Sequence, residues 1–210
     1  RDRSVSRGLG DVYKRQVIVY DELEASEAVR WEWLLHSPTE FKIDAVKKTL
    51  STDNKTKGWV AVTQLFGGHV FTLSQTDRFV VPPAITGAEY PNQWHLTARV
   101  DGCSATRFLA IIQVGDEAVS IVNRDGDTFN VGDWTIKAVL DASKAPELTV
   151  SHRTEQAVFS YGTDNPALNG NFYSRQYTGS SLLYDEIDGA YQVVEMTDRS
   201  PISVSYTHLT

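Results

Sequence analysis

Along most of the chain, apolar residues recur at every second position in short runs separated by turn residues, and that period is the strongest constraint on what it can fold into. Val29, Trp31, Trp33 and Leu35 fall on one face of Val29–His36, with Arg30 and Glu32 on the other. Trp94, Leu96, Ala98 and Val100 share a face of Trp94–Val100, as do Trp134, Ile136, Ala138 and Leu140 of Trp134–Leu140. The run FLAIIQV within Thr106–Val114 is apolar almost throughout, which suits a strand buried on both faces. Further strands are predicted at Val17–Tyr20, Trp59–Phe66, His69–Leu73, Phe79–Val81, Ala118–Val122, Phe129–Val131, Glu147–Ser151, Ala157–Tyr161, Asn171–Tyr177, Ser181–Tyr184 and Tyr191–Glu195. Asp101-Gly102 and Asp125-Gly126 read as hairpin turns. Ile43–Thr49 is the one helical candidate. The spacing predicts an all-β chain of antiparallel sheets stacked as a β-sandwich or supersandwich, without βαβ units.

Charge narrows the partners. Residues 1–16 hold five basic and two acidic residues and carry +3, residues 201–210 carry none, and the whole chain carries −7, so residues 17–200 carry −10. An acidic body repels nucleic acid and other polyanions, so a sulfated sugar would have to be met by a local basic cleft. No apolar run approaches the roughly 18–20 residues of a membrane-spanning helix. Neither a nucleic acid nor a membrane is therefore expected as a partner. The single cysteine, Cys103, excludes an intrachain disulfide.

The ends differ from the middle. RDRSVSRGLGDVYKRQ at the start and PISVSYTHLT at the finish show neither strand nor helix period and resemble translated sequencing-adapter read-through. Residues 1–16 and 201–210 are accordingly expected to be non-native, with a β-sandwich over residues 17–142 and a smaller β-sheet region over 143–200. A soft boundary falls near Ala142–Pro146.

The candidate site residues are few. Tyr90, Asn92 and Gln93 precede Trp94 in a composition common at sugar sites, and His95 lies on the face opposite Trp94 and Leu96. With Trp59 they form the expected substrate-binding set: His95, Tyr90, Asn92, Gln93 and Trp59. A histidine at a cleft edge suits acid–base work, yet a structural hydrogen bond to a neighbouring loop is the default account of both His36 and His95. Trp31, Trp33, Trp94 and Trp134 fit the inward faces of strands, where core packing is the default. No metal-ligand spacing, no nucleophile elbow and no phosphate loop is present, and Asp125-Gly126-Asp127 reads as a turn rather than a calcium loop. No catalytic residue and no metal ligand is assigned.

Taken in order, VIVYDELEASEAVRWEWLLHSP, TQLF, LSQTDRFVVPP, EYPNQWHLTA, RFLAIIQV and VGDWTIKAVLD resemble the β-rich C-terminal part of the heparinase II/III-like polysaccharide lyases, over Val17 to Ala142 and more weakly through GSSLLYDEIDG. The resemblance implies a periplasmic or secreted bacterial enzyme with an N-terminal (α/α) toroid followed by stacked antiparallel sheets. It implies β-elimination on uronic-acid glycosaminoglycans of the heparin and heparan sulfate type. There a base takes the C5 proton, a neutralising group offsets charge on the carboxylate, and an acid protonates the leaving oxygen. The family's Tyr and His acid–base groups and a structural zinc lie upstream of the matched strings, so none is carried onto a residue here and no cofactor is expected within this chain. Three readings follow: a lyase fragment acting as β-scaffold and cleft wall, inactive alone; an independent carbohydrate-binding β-sandwich module; or a purely structural β-domain.

Overall fold

The computed structural model describes residues 16–54, 59–78, 92–115, 119–153, 158–162, 167–168, 171–172, 181–187 and 190–196. Among them the chain is all-β, and every strand pairing is antiparallel. It divides into two units. The first comprises the described residues up to Ile121 together with Leu140–Ser143; the second comprises Val122–Val139 and the described residues from Lys144 onward.

The first unit is built on a two-stranded ribbon of unusual length. Strand β1 runs Gln16–Ser37 and β6 runs Trp94–Gly115, each 22 residues. The predicted strands Val17–Tyr20 and Val29–His36 are thus one element, interrupted by register shifts between Glu24 and Val29 and between Val29 and Trp31. Asp101-Gly102 does not turn the chain back. It lies inside β6 opposite that irregularity, with Gly102 at φ 72°. Residues on both sides of it pair with β1, whose alternation resumes at Val29, so the extra residues are absorbed as a bulge.

The bulge folds the ribbon over. Trp33 Nε1 donates to Asp21 Oδ2 at 2.9 Å, although both belong to β1. A straight strand would hold residues twelve apart at about 40 Å. The opened halves supply facing layers, so that Leu65, Phe108 and Ala110 pack with Ala98 and Val100, flanked by Trp31, Trp33 and Phe71. A sheet that turns a corner at a bulge and packs on itself is one way of making a two-layered core. The indoles enter this core with their N–H groups satisfied, Trp31 Nε1 donating to Cys103 O at 3.0 Å.

Around β6 stand β4 (Trp59–Gly67) along its second half and β5 (Thr72–Thr76) along its first. β3 (Thr49–Asn54) pairs β4, and β2 (Lys42–Asp44) pairs β3. The expected helix over Ile43–Thr49 is therefore a hairpin. Seven residues nucleate a helix poorly, and the Asp44 carboxylate captures the Val46 and Lys47 amides at 3.1 and 3.0 Å, while Lys48 takes φ 52°. This places Leu50 in a second cluster with Phe41 and Leu96. The Gln75 side-chain amide, paired with the Phe41 main chain at 3.1 and 3.0 Å, links the start of this hairpin to β5.

Two other expectations shift. The strand expected at His69–Leu73 begins at Thr72, after a bend at Gly68 and His69. Of the strand expected at Ala118–Val122, residues 119–122 are irregular and pairing begins with β7 (Asn123–Asp125). Phe79–Val81 lies outside the described residues.

The second unit is a sheet in the order β15-β14-β11-β10-β9-β8-β7, with β8 Thr128–Val131, β9 Trp134–Ala138, β10 Leu148–His152, β11 Val158–Tyr161, β14 Ser181–Ile187 and β15 Ala190–Met196. A small separate pair joins β12 (Ala167–Leu168) to β13 (Asn171–Phe172). Register stacks Phe129, Ile136 and Val150 in one buried row and sets half-buried Trp134 between buried Val131 and His152 in the next. Asp125-Gly126 forms its predicted turn, between Asp125 and Thr128. The strand expected at Trp134–Leu140 stops at Ala138, and Leu140 continues buried in the first unit.

Candidate functional site

Alternation fixes what the first half of β6 shows to solvent. With Leu96, Ala98 and Val100 turned inward, His95, Thr97 and Arg99 face out. Register sets His36, Leu34 and Glu32 of β1 beside them on one side and Thr76, Ser74 and Thr72 of β5 on the other. The result is a three-stranded face, polar except for Leu34, which is 54 % exposed at its middle. At one end the imidazoles of His36 and His95, directly opposed in register, lie with centroids 4.4 Å apart and planes tilted by 47°. Asn92 and Gln93, both exposed, lead the chain into this end.

At the other end Asp101 holds two cations. Its Oδ1 accepts from Arg99 Nε at 2.9 Å and from Arg30 Nε at 3.2 Å. The Arg99 bond above all, with Arg30 assisting, keeps the Asp101 carboxyl below the usual carboxylate range, and the same bond raises Arg99. A carboxyl lowered by folding stabilises above its unfolded value, about 3.9. That stabilisation disappears as pH falls through the lower folded value. A carbon-detected NMR titration is expected to show Asp101 titrating below a peptide aspartate, and Arg99→Gln is expected to return it toward the ordinary range. An unchanged midpoint in that variant would show that the pairing is not the cause.

Of the expected substrate-binding set, the structure brings Asn92, Gln93 and His95 to one end of this face. Tyr90 lies outside the described residues. Trp59 opens β4, and its side chain is likewise outside what is described. Sequence reasoning named His36 without its pairing to His95, because a register joining positions 36 and 95 cannot be read from local pattern.

The second unit carries a cleft that sequence reasoning missed. It has a volume of about 360 Å³ and is lined by Asn130, Gly132, Asp133, Trp134, Thr135, Ser151, His152 and Arg153. Its frame is the two-residue turn Gly132-Asp133 joining Val131 to Trp134, with Gly132 at φ 58°. Arg153 Nη2 donates to Asp133 Oδ1 at 2.6 Å, and the Arg153 amide donates to Asp133 O at 3.0 Å. The guanidinium is otherwise largely exposed. His152 is buried, with its ring 4.6 Å from that of Trp134. The Gly132-Asp133 pair was the available signal, a two-residue hairpin loop directly before a tryptophan.

Among the described residues no group of three or more His, Cys, Asp or Glu stands together to hold a metal ion, so a structural zinc has no full donor set on them. Among them, too, no helix is long and apolar enough to cross a membrane. No protein-family model matches the sequence, and no curated protein matches it.

Proposed function

We propose that this chain is a β-sheet part of a polysaccharide lyase that cleaves uronic-acid glycosaminoglycans of the heparin and heparan sulfate type by β-elimination, and that it serves as scaffold and cleft wall without supplying the proton-transfer groups. The reading carries with it a polysaccharide partner bound through the whole enzyme, an (α/α) toroid elsewhere in that enzyme, and a periplasmic or secreted location. The observation that supports it is the outward face of β1, β6 and β5. Strands about 4.8 Å apart set imidazole, hydroxyl, carboxylate and guanidinium groups side by side over the core, with the amides of Asn92 and Gln93 leading into one end. Such an array suits the hydroxyls of an extended sugar chain, and its cations, Arg30 and Arg99, share the Asp101 carboxylate.

The test is retention of the chain on immobilised heparin at low salt. The double variant Asn92→Ala/Gln93→Ala is expected to weaken binding by roughly 10-fold, the worth of one to two net hydrogen bonds. Incubation with heparin should give no rise in ultraviolet absorbance from unsaturated uronate. Unchanged retention in the double variant removes the wall, and appreciable turnover removes the scaffold role.

One observation favours the alternative, a carbohydrate-binding module without catalysis: the cleft of the second unit, where Arg153 and Asn130 flank a pocket at the small end of ligand-site volumes. On that reading heparin retention survives the Asn92/Gln93 double variant and is lost with Arg153→Gln.

A further inference from the structure

Independently of the sugar reading, we propose that His36 and His95 form a two-point chelate for a divalent transition-metal ion of the zinc, nickel and copper class. The two residues are direct cross-strand partners at the open end of the β1–β6 ribbon, where His36 is exposed and His95 half-buried. Their spacing is close to that of two imidazoles at a right angle on one ion. A zinc–nitrogen bond of about 2.0–2.1 Å, added to about 1.1 Å from ring nitrogen to ring centre, puts each centroid about 3.2 Å from the metal. Two such rings at a bond angle between about 90° and 109° then have centroids about 4.5–5.2 Å apart. The observed separation of 4.4 Å is about 0.1 Å short of the right-angle value, a gap that a small side-chain rotation closes, and the 47° tilt keeps the rings from lying face to face. Both strands are held by continuous pairing on either side of the pair, from Leu35↔Leu96 to Ser37↔Trp94, so the donors are pre-arranged and little ordering is needed on binding.

Imidazole suits borderline ions and not magnesium or calcium, which prefer oxygen. Two protein ligands leave the other positions to water, so the site is exchangeable, unlike a closed structural zinc. It competes with protons, since only neutral imidazole binds, and binding weakens as pH falls. An ion there would join the C-terminal end of β1 to the N-terminal end of β6.

The experiment is a Zn²⁺ titration of the full chain, followed by calorimetry and by the histidine ring resonances. One ion per chain is expected, with the His36 and His95 rings shifting together, His69 unmoved over the same range, and Mg²⁺ without effect. His36→Ala and His95→Ala are each expected to weaken binding by roughly 100-fold, the advantage of a second linked contact. His36 is exposed, so its variant keeps the fold, and Zn²⁺ should raise the melting temperature of the parent chain but not of this variant. Binding that persists at parental strength in either variant, a His69 shift at equal zinc, or rings that stay still would each overturn the chelate.

Discussion

Phe108→Ala is expected to destabilise the first unit by about 3–5 kcal/mol, the range for truncating a fully buried aromatic in a core that cannot collapse around the loss. Phe108 is 0 % exposed and lies at the centre of the cluster made by Leu65, Ala98, Val100 and Ala110. Its ring meets Phe71 edge-on, at 6.1 Å between centroids and 61° between planes, an arrangement that adds to area burial by about 0.5–1.5 kcal/mol. The position cannot relax easily. Phe108 pairs with Asp21 on β1 and with Gly67 on β4, so its backbone is held from both sides. Denaturant unfolding of the full chain, read from tryptophan fluorescence, is the measurement, since Trp31 and Trp33 pack against the same cluster. The corresponding fall in melting temperature is roughly 10–20 °C. Val17→Ala is the control: its side chain is 53 % exposed, and surface changes of this kind stay within about 0.5 kcal/mol. A Phe108→Ala variant no less stable than Val17→Ala would mean that the folded-over ribbon does not hold the core described here.

The same residues show how far the fold could be read from the sequence. Phe108, Leu109, Ala110 and Ile111 are all fully buried, as the unbroken apolar run required of a strand covered on both faces. Trp31, Trp33 and Leu35 turn inward on β1 because two-residue alternation is a local property. What alternation cannot say is where a strand ends. Asp101-Gly102 is chemically as good a bulge as a turn, and only the long-range pairing of both flanks with β1 decides between them. The β2–β3 hairpin was missed for a related reason. Its connection, Ala45 to Lys48, contains neither Gly nor Asn nor Pro, and the turn is made by the Asp44 side chain and by Lys48 in a left-handed conformation that sequence preference disfavours. Sites fare worse than strands, because they are assembled by register. Asp133 and Arg153 are twenty residues apart and meet across the β9–β10 pairing, as His36 and His95 meet across β1–β6. Each residue type was visible beforehand, and each partnership needed the sheet.

A second large loss is expected at Gly68, through its neighbours rather than its own packing. The segment Leu140–Ser143 returns to the first unit and passes over the bare Cα of Gly68. A Cβ added there would stand 2.1 Å from Leu140 O and 3.1 Å from Leu140 C, both main-chain atoms with no side-chain freedom to yield. On its other side Gly68 is fixed by its amide, which donates to Arg107 O at 3.0 Å. Arg107 closes the arrangement: its side chain is 5 % exposed, and its Nη1 donates to Asp141 O at 2.7 Å. Gly68→Ala must therefore push the returning segment away, and the guanidinium loses the carbonyl that accepts from it. Overpacking costs about 1–3 kcal/mol, and the lost bond to a buried charged donor about 1.5–3 kcal/mol more. The expected total is roughly 3–5 kcal/mol, measured by denaturant unfolding. A double-mutant cycle with Arg107→Leu separates this account from simple crowding. If both substitutions act by releasing Leu140–Ser143, the second costs little once the first is made, and the pair falls short of additivity by at least about 1 kcal/mol. Losses that add within about 0.5 kcal/mol would show the two residues acting separately, and the returning segment would not be what joins them.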